Sequence, residues 1–194
     1  MTVATAYASP SLLQLAPANA PLPQMSPCLA GQRWRWEEVS FEFLIPWAGT
    51  AYEGNRSSCV LMVSVGRAMV LLPGDIDQTV ETQLIRHWPL YRRATVVIAP
   101  HHGSKTSSSP SLVKALRAEL VVVSAGYHNR YGHPHADVLR RWRNSGAHVC
   151  QTVNTGALEI WLGPHLLRYQ AYRHQRARLW DIVERQRTNG TLCD

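Results

Sequence analysis

Between Ala94 and Val153 the chain switches repeatedly between two periodicities, and this alternation most narrows the folds open to it. "ATVVIAP" is a β-branched run of strand type, and "PSLVKALRAE" has helical spacing. "LVVVSAG" is a second strand, and "PHADVLRRWRNSG" is a helix stopped at Gly146. "AHVCQTV" and "GALEIWLG" follow as short strands. Upstream, "SSCVLMVSVGRAMVLLPGD" is two apolar runs broken at Gly66 and Arg67, which predicts a hairpin. "DQTVETQLIRHW" places Val80, Leu84 and Trp88 at helical spacing. Val39, Phe41 and Phe43 recur at every second position, so one or two strands are expected there. Strands first and αβαβ afterwards predict an α/β layered fold, a mixed sheet with flanking helices. Functional residues should then sit in loops after strand ends.

The 194 residues suffice for one domain with a sizeable core. Residues 1–30 are rich in Ala and Pro and read as an irregular or extended lead-in. Their A-x-A segment at Ala18 to Ala20 lacks the basic region and continuous apolar core of a signal peptide. Residues 31–165 form the predicted domain, and 166–194 a basic tail with Tyr169, Tyr172 and Trp180, helical towards its end. No apolar run approaches the ~18 residues of a membrane-spanning helix. The formal charge is +7, and of twenty basic residues only Lys105 and Lys114 are lysine. Such an arginine excess suits a polyanionic partner. The four cysteines are far apart and never form C-x-x-C, which predicts neither a zinc ribbon nor a disulfide framework. Cys59 and Cys150, in apolar runs, are expected to be buried thiols.

Metal-capable side chains follow three of the apolar runs. Asp75 closes "MVLLPGD"; His101 and His102 close "VVIAPHHGS"; His128, His133 and His135 lie in "VVVSAGYHNRYGHPH". A carboxylate and imidazoles converging at adjacent strand ends suit a divalent metal, with the carboxylate able to bridge two ions. The competing structural reading makes Asp75 a helix cap and the histidines one core and one surface residue. Adjacent residues of a strand point to opposite faces, so bringing both imidazoles into one site requires a bend, which Gly103 permits. "HPHAD" matches five letters of the metal signature H-x-H-x-D-H, but the sixth is Val138 and the segment opens a helix. It is therefore read as a helix start.

"LLPGDID…E", "APHHGSKTSSSP", "SAGYHNRYGHPHADVLRRW" and "T…TGALEI" together resemble the C-terminal part of the metallo-β-lactamase-like domain of ComEC family DNA internalization proteins. "AGQRWRWEEVSFEFLIP", ahead of "NRSSCVL", adds to the resemblance, which covers residues 28 to about 163. The resemblance implies a partial αββα sandwich and a two-metal nuclease that degrades the DNA strand not imported during natural transformation. It implies Asp75 as the bridging aspartate and a ligand from His101 or His102, the other donating a proton or contacting substrate. It places "NRYGHPH" along the same cleft, with Asn129, Arg130 or His133 near the scissile phosphate and His135 beside them. The cofactor would be manganese or zinc, and the partners single-stranded DNA and the family's membrane channel. The resemblance implies an inner-membrane protein with this domain outside the cytoplasm, while the chain's own residues assign it no compartment.

Two bridged ions can generate a hydroxide near neutral pH and neutralise charge on a phosphodiester. Lys105 and the hydroxyls of Ser104, Thr106 and Ser107 are expected to bind flanking phosphates. In the family H-x-H-x-D-H lies upstream, and no such sequence occurs in these residues. The expectation is therefore a truncated or split nuclease domain that binds metal weakly and is inactive alone. A non-catalytic DNA-binding module and a small-substrate metallohydrolase of the same fold are the alternatives.

Overall fold

A computed structural model of the chain describes residues 6–15, 25–50, 52–87, 93–175 and 193. Trp88 and Trp180 lie outside them. In the lead-in, β1 (Ala6–Ala8) pairs in parallel with β2 (Met25–Pro27), with α1 (Pro10–Leu15) between them in sequence. The domain proper is a seven-stranded mixed sheet in sequential order. Its antiparallel half contains β3 (Arg33–Trp36), β4 (Val39–Ile45), β5 (Val60–Val65) and β6 (Ala68–Leu72). From β6 onward the pairing is parallel, through β7 (Val96–Ile98), β8 (Leu120–Val123) and β9 (His148–Gln151).

The switch from antiparallel to parallel comes where helices begin to separate the strands, because a parallel partner requires a crossover. The crossovers are α2 (Gln78–His87), α3 (Pro110–Leu116) and α4 (Ala136–Asn144). They bury Val80 and Leu84, Leu112 and Leu116, and Val138 and Trp142 against Leu71, Val97, Val121 and Val149 on one sheet face. Each pair is spaced by four residues, the interval that puts two side chains on one helical face. The other face carries Val96, Leu120, Val122 and Cys150. Over these pack Ile160, Leu162, Leu167 and Tyr169 of an antiparallel hairpin, β10 (Leu158–Gly163) and β11 (Leu166–Ala171). Burial on both faces is why β7 and β8 read as unbroken valine-rich runs. Single-turn helices α5 (Thr152–Thr155) and α6 (Tyr172–Gln175) flank the hairpin. The mixed α/β class expected from the sequence is the class observed, consistent with an αββα sandwich. No helix among the described residues is long and apolar enough to cross a membrane.

The cysteine expectation is corrected. Cys28 is bonded to Cys59 and Cys150 to Cys193, so neither Cys59 nor Cys150 is a free thiol. Sequence spacing cannot reveal this, because the fold brings together residues 31 and 43 positions apart. Tyr169, at the start of the basic tail, is likewise a strand residue packed against the sheet.

Candidate functional site

Because β6, β7 and β8 run parallel, the loops leaving them emerge along one edge of the sheet. Asp75 follows β6 through Pro73 and Gly74, and His101 and His102 follow β7 through Ala99 and Pro100. The loop carrying His133 follows β8. The carboxylate Oδ1 of Asp75 lies 3.4 Å from His102 Nε2. The His101 and His133 rings meet edge to face with centroids 5.7 Å apart. Asp75 is not a helix cap: Asp77 does that work, its Oδ1 accepting the N–H groups of Thr79 and Val80. Burial raises the Asp77 pKa, but the Arg56 side chain 2.7 Å away and the Val80 and Thr79 N–H groups outweigh it. Its carboxyl is thus held below the ordinary aspartate range.

The twin histidines bend the chain themselves. His101 (φ 49°, ψ 41°) and His102 (φ 56°, ψ 23°) are both left-handed, followed by Gly103 at φ 78°. Side-chain-bearing residues in that region cost of order 1–3 kcal/mol each and persist where the surroundings over-determine them. Here the surroundings do: the His101 N–H donates to the Gly74 carbonyl at 3.0 Å, and the Ser104 N–H returns to the His101 carbonyl at 2.9 Å. His102 Nδ1 lies 2.8 Å from the Ser124 carbonyl oxygen, a contact that requires Nδ1 to carry the proton. Nε2 is the ring nitrogen that faces Asp75. His101 differs, with Nε2 3.2 Å from the Asn55 amide and a buried Nδ1 that has no hydrogen-bond partner among the described residues.

Two glycines make the close approaches possible. A Cβ on Gly74 would stand 2.8 Å from Ser58 Cβ, while Ser58 Oγ accepts the Asp75 N–H at 3.1 Å. A Cβ on Gly103 would stand 2.7 Å from Pro134 Cβ, and the Gly103 carbonyl accepts the His135 N–H at 2.9 Å. The loop bearing His133 is therefore seated on Gly103. Gly103→Ala is expected to cost about 1–3 kcal/mol through its left-handed backbone alone, and to displace His133 from His101. A denaturant melt and the imidazole resonances of both histidines would test this; an unchanged His133 signal would refute the seating.

Burial lowers the His133 pKa, and the neighbouring His101 and His102 charges lower it further against an opposing pull from Asp75. His133 consequently stays neutral to lower pH than an ordinary histidine. Asn129 holds its loop shut, the side-chain amide donating to the carbonyls of Gly126 (3.0 Å) and His133 (2.5 Å) and accepting the His133 N–H (3.0 Å). His135 caps α4, Nδ1 accepting the Asp137 N–H at 3.3 Å, and Val138 is a core residue of that helix. This is why the partial H-x-H-x-D-H match breaks at Val138.

Of the polar residues after the histidines, Lys105 and Thr106 are exposed, and Thr106 lines the cleft with Asn55, Arg56, Asp75 and His101. Ser104 and Ser107 are buried. Ser107 Oγ donates within the loop, with the Pro100 and Ser104 carbonyls at 2.7 and 2.9 Å, and Ser104 Oγ pairs with Thr106 Oγ1 at 3.1 Å. Both serines use their hydroxyls to shape the loop. Asn55, Ser58 and Ser124 complete the contacts of His101, Asp75 and His102 from elsewhere in the chain. They act through an amide, a hydroxyl and a backbone carbonyl brought in from other loops, and no local pattern marks them.

Asp75 and His102 are arranged as two neighbouring metal donors are, the imidazole oriented by a carbonyl on its far nitrogen. Among the described residues no three His, Cys, Asp or Glu side chains are grouped to hold an ion. The pair thus fits part of a coordination shell and not a whole one.

No family model matches the chain. Among curated proteins it is 39% identical over 144 residues to competence protein ComA of Neisseria gonorrhoeae, covering 74% of this chain and 21% of that protein. It is 32% identical over 133 residues to recombination protein 2 of Haemophilus influenzae, covering 69% and 16% respectively. With ComE operon protein 3 of Bacillus subtilis it shares 31% identity over 123 residues, covering 63% and 16%. The chain spans about a fifth or less of the length of these relatives.

Proposed function

We propose, for a chain that is homologous over most of its length to competence proteins of the ComEC family, a part in DNA uptake: it forms one wall of a cleft that handles a phosphodiester strand. The observation carrying this reading is the approach of Asp75 to His102 at adjacent parallel strand ends, with His101 and His133 beside them. Asp75 and His102 would hold a divalent ion such as manganese or zinc, His102 through Nε2. Bound there, the ion would polarise a phosphate and acidify a water.

The chain's own residues have narrower tasks. The Ser124 carbonyl fixes the His102 tautomer, and Ser58 and Gly74 set the Asp75 turn. His133, its pKa lowered by burial and by the neighbouring His101 and His102, sits beside the pair. Lys105, exposed next to Thr106, meets a flanking phosphate as a point charge. Two donors hold an ion weakly, so the proposed role of the chain by itself is to bind DNA without cleaving it. The +7 charge supports such binding.

The test is a labelled single-stranded oligonucleotide offered to the purified chain with and without manganese. Binding that weakens steeply with salt, and no turnover, is expected. Lys105→Ala should weaken binding and lower the salt slope by about one. No binding at low salt, or manganese-dependent cleavage by the parent chain, would overturn the reading. So would hydrolysis of a small phosphodiester by a chain that ignores DNA.

A further inference from the structure

We infer that the loop of residues 126–134 carries a nucleobase-stacking subsite built on Tyr131 and Arg130, which selects single-stranded nucleic acid at the cleft. The inference rests on the phosphodiester reading above and names the part of the ligand that reading leaves open. Tyr131 is 65% exposed and Tyr127 51% exposed, large aromatic surfaces on one short loop beside the histidine cluster. An isolated exposed tyrosine needs no explanation. Tyr131 is not isolated. Its ring stacks on His133 with centroids 5.8 Å apart and planes 23° from parallel, and His133 in turn meets His101. The planar surface therefore begins one ring away from the cluster proposed to face the phosphate.

Arg130 completes the unit. Its guanidinium carbon lies 4.8 Å from the centre of the Tyr131 ring, and its Nη2 donates to the Tyr131 hydroxyl at 2.5 Å. A guanidinium over an aromatic ring offers a flat face to a base together with a positive charge for the adjoining phosphate. The loop is also pre-organised. The Asn129 amide ties Gly126 to His133, and the Gly132 N–H donates to the Asn129 carbonyl at 3.1 Å. A base meeting a loop already held in place loses little of its stacking energy to ordering. Base faces are accessible in a single strand and hidden in a duplex, so the subsite distinguishes the two.

The experiment measures anisotropy of labelled oligonucleotides with the full chain and its Tyr131→Ala and Tyr131→Phe variants. Three ligands are compared: a single strand, the same strand with abasic sites, and the duplex. Tyr131→Ala is expected to weaken single-strand binding roughly tenfold, a one-base stacking contribution. It should leave abasic binding unchanged, and Tyr131→Phe, which keeps the ring, should restore affinity. Thermal melts of both variants should match the parent, because the side chain is mostly in solvent. Equal losses on the normal and abasic strands, or no loss on either, would refute the subsite while leaving the cleft reading standing. Failure of the parent chain to bind any of the three would remove the reading on which the subsite rests.

Discussion

Replacing Cys28 and Cys59 together by serine is expected to lower the stability of the chain by about 3–4 kcal/mol. The bond closes a loop of sequence separation 31, and in the chain-entropy account the loss comes from the freedom this loop regains in the unfolded state. Cys28 is fully buried, and its N–H donates to the Ala8 carbonyl, so the bond fastens the lead-in to the start of β5. Cys59 adjoins Ser58, the residue that accepts the Asp75 N–H. The consequence should therefore reach the site. Denaturant melts of the oxidised parent and the double variant would measure the loss, and oligonucleotide affinity would report the slackened Asp75 turn. A loss under about 1 kcal/mol would show that the closed loop contributes little here.

Glu81→Ala is expected to cost about 2–4 kcal/mol, because it strands two buried backbone N–H groups. Glu81 is fully buried on α2, and its carboxylate accepts the N–H groups of Ser108 and, at 2.7 Å, Ser109. Ser108 is itself left-handed at φ 54°, and Ser109 caps α3. One carboxylate thus anchors the far end of the loop that begins at the twin histidines. Burial pushes the Glu81 pKa above the ordinary 4.5, despite the hydrogen bonds from Ser109 and Ser108 and the charge of Arg141, which pull it down.

The pH consequence has a definite sign. Between 4.5 and the raised value the folded state binds more protons than the unfolded state, so stability falls as pH rises through that window. Glu81→Gln cannot titrate and should flatten this slope, while retaining one acceptor and losing less than Glu81→Ala. Melts at several pH values would check both statements. A slope that Glu81→Gln leaves unaltered would assign the pH dependence to other groups.

Glu81 also shows where sequence reasoning stops. In "DQTVETQLIRHW" it sits beside Val80 and reads as one polar residue on a helix, yet it is as buried as its neighbour. What buries it is the Ser108–Ser109 turn 27 and 28 positions away, which offers two donors at once. Asn129 changes meaning in the same manner. As a letter in "NRYGHPH" it is a polar residue facing substrate; in three dimensions all three of its side-chain hydrogen bonds close its own loop. Asp75 and Asp77 are two residues apart and both suit a cap, and only the placement of the first turn of α2 decides which one caps.

By itself the sequence determined the order of strands and helices between Val39 and Gln151, and that Asp75, the twin histidines and "NRYGHPH" follow strands. Those are properties of local periodicity, carried by residues within about seven positions of one another. The tertiary structure alone decided that β6, β7 and β8 are parallel neighbours, so that their loops share one edge. It also decided that His101 and His102 stand in a left-handed turn and that the four cysteines pair. The physical reason is common to all three. Each depends on atoms from distant segments: Gly74 under His101, Ser124 behind His102, and Cys59 against Cys28, 31 positions earlier.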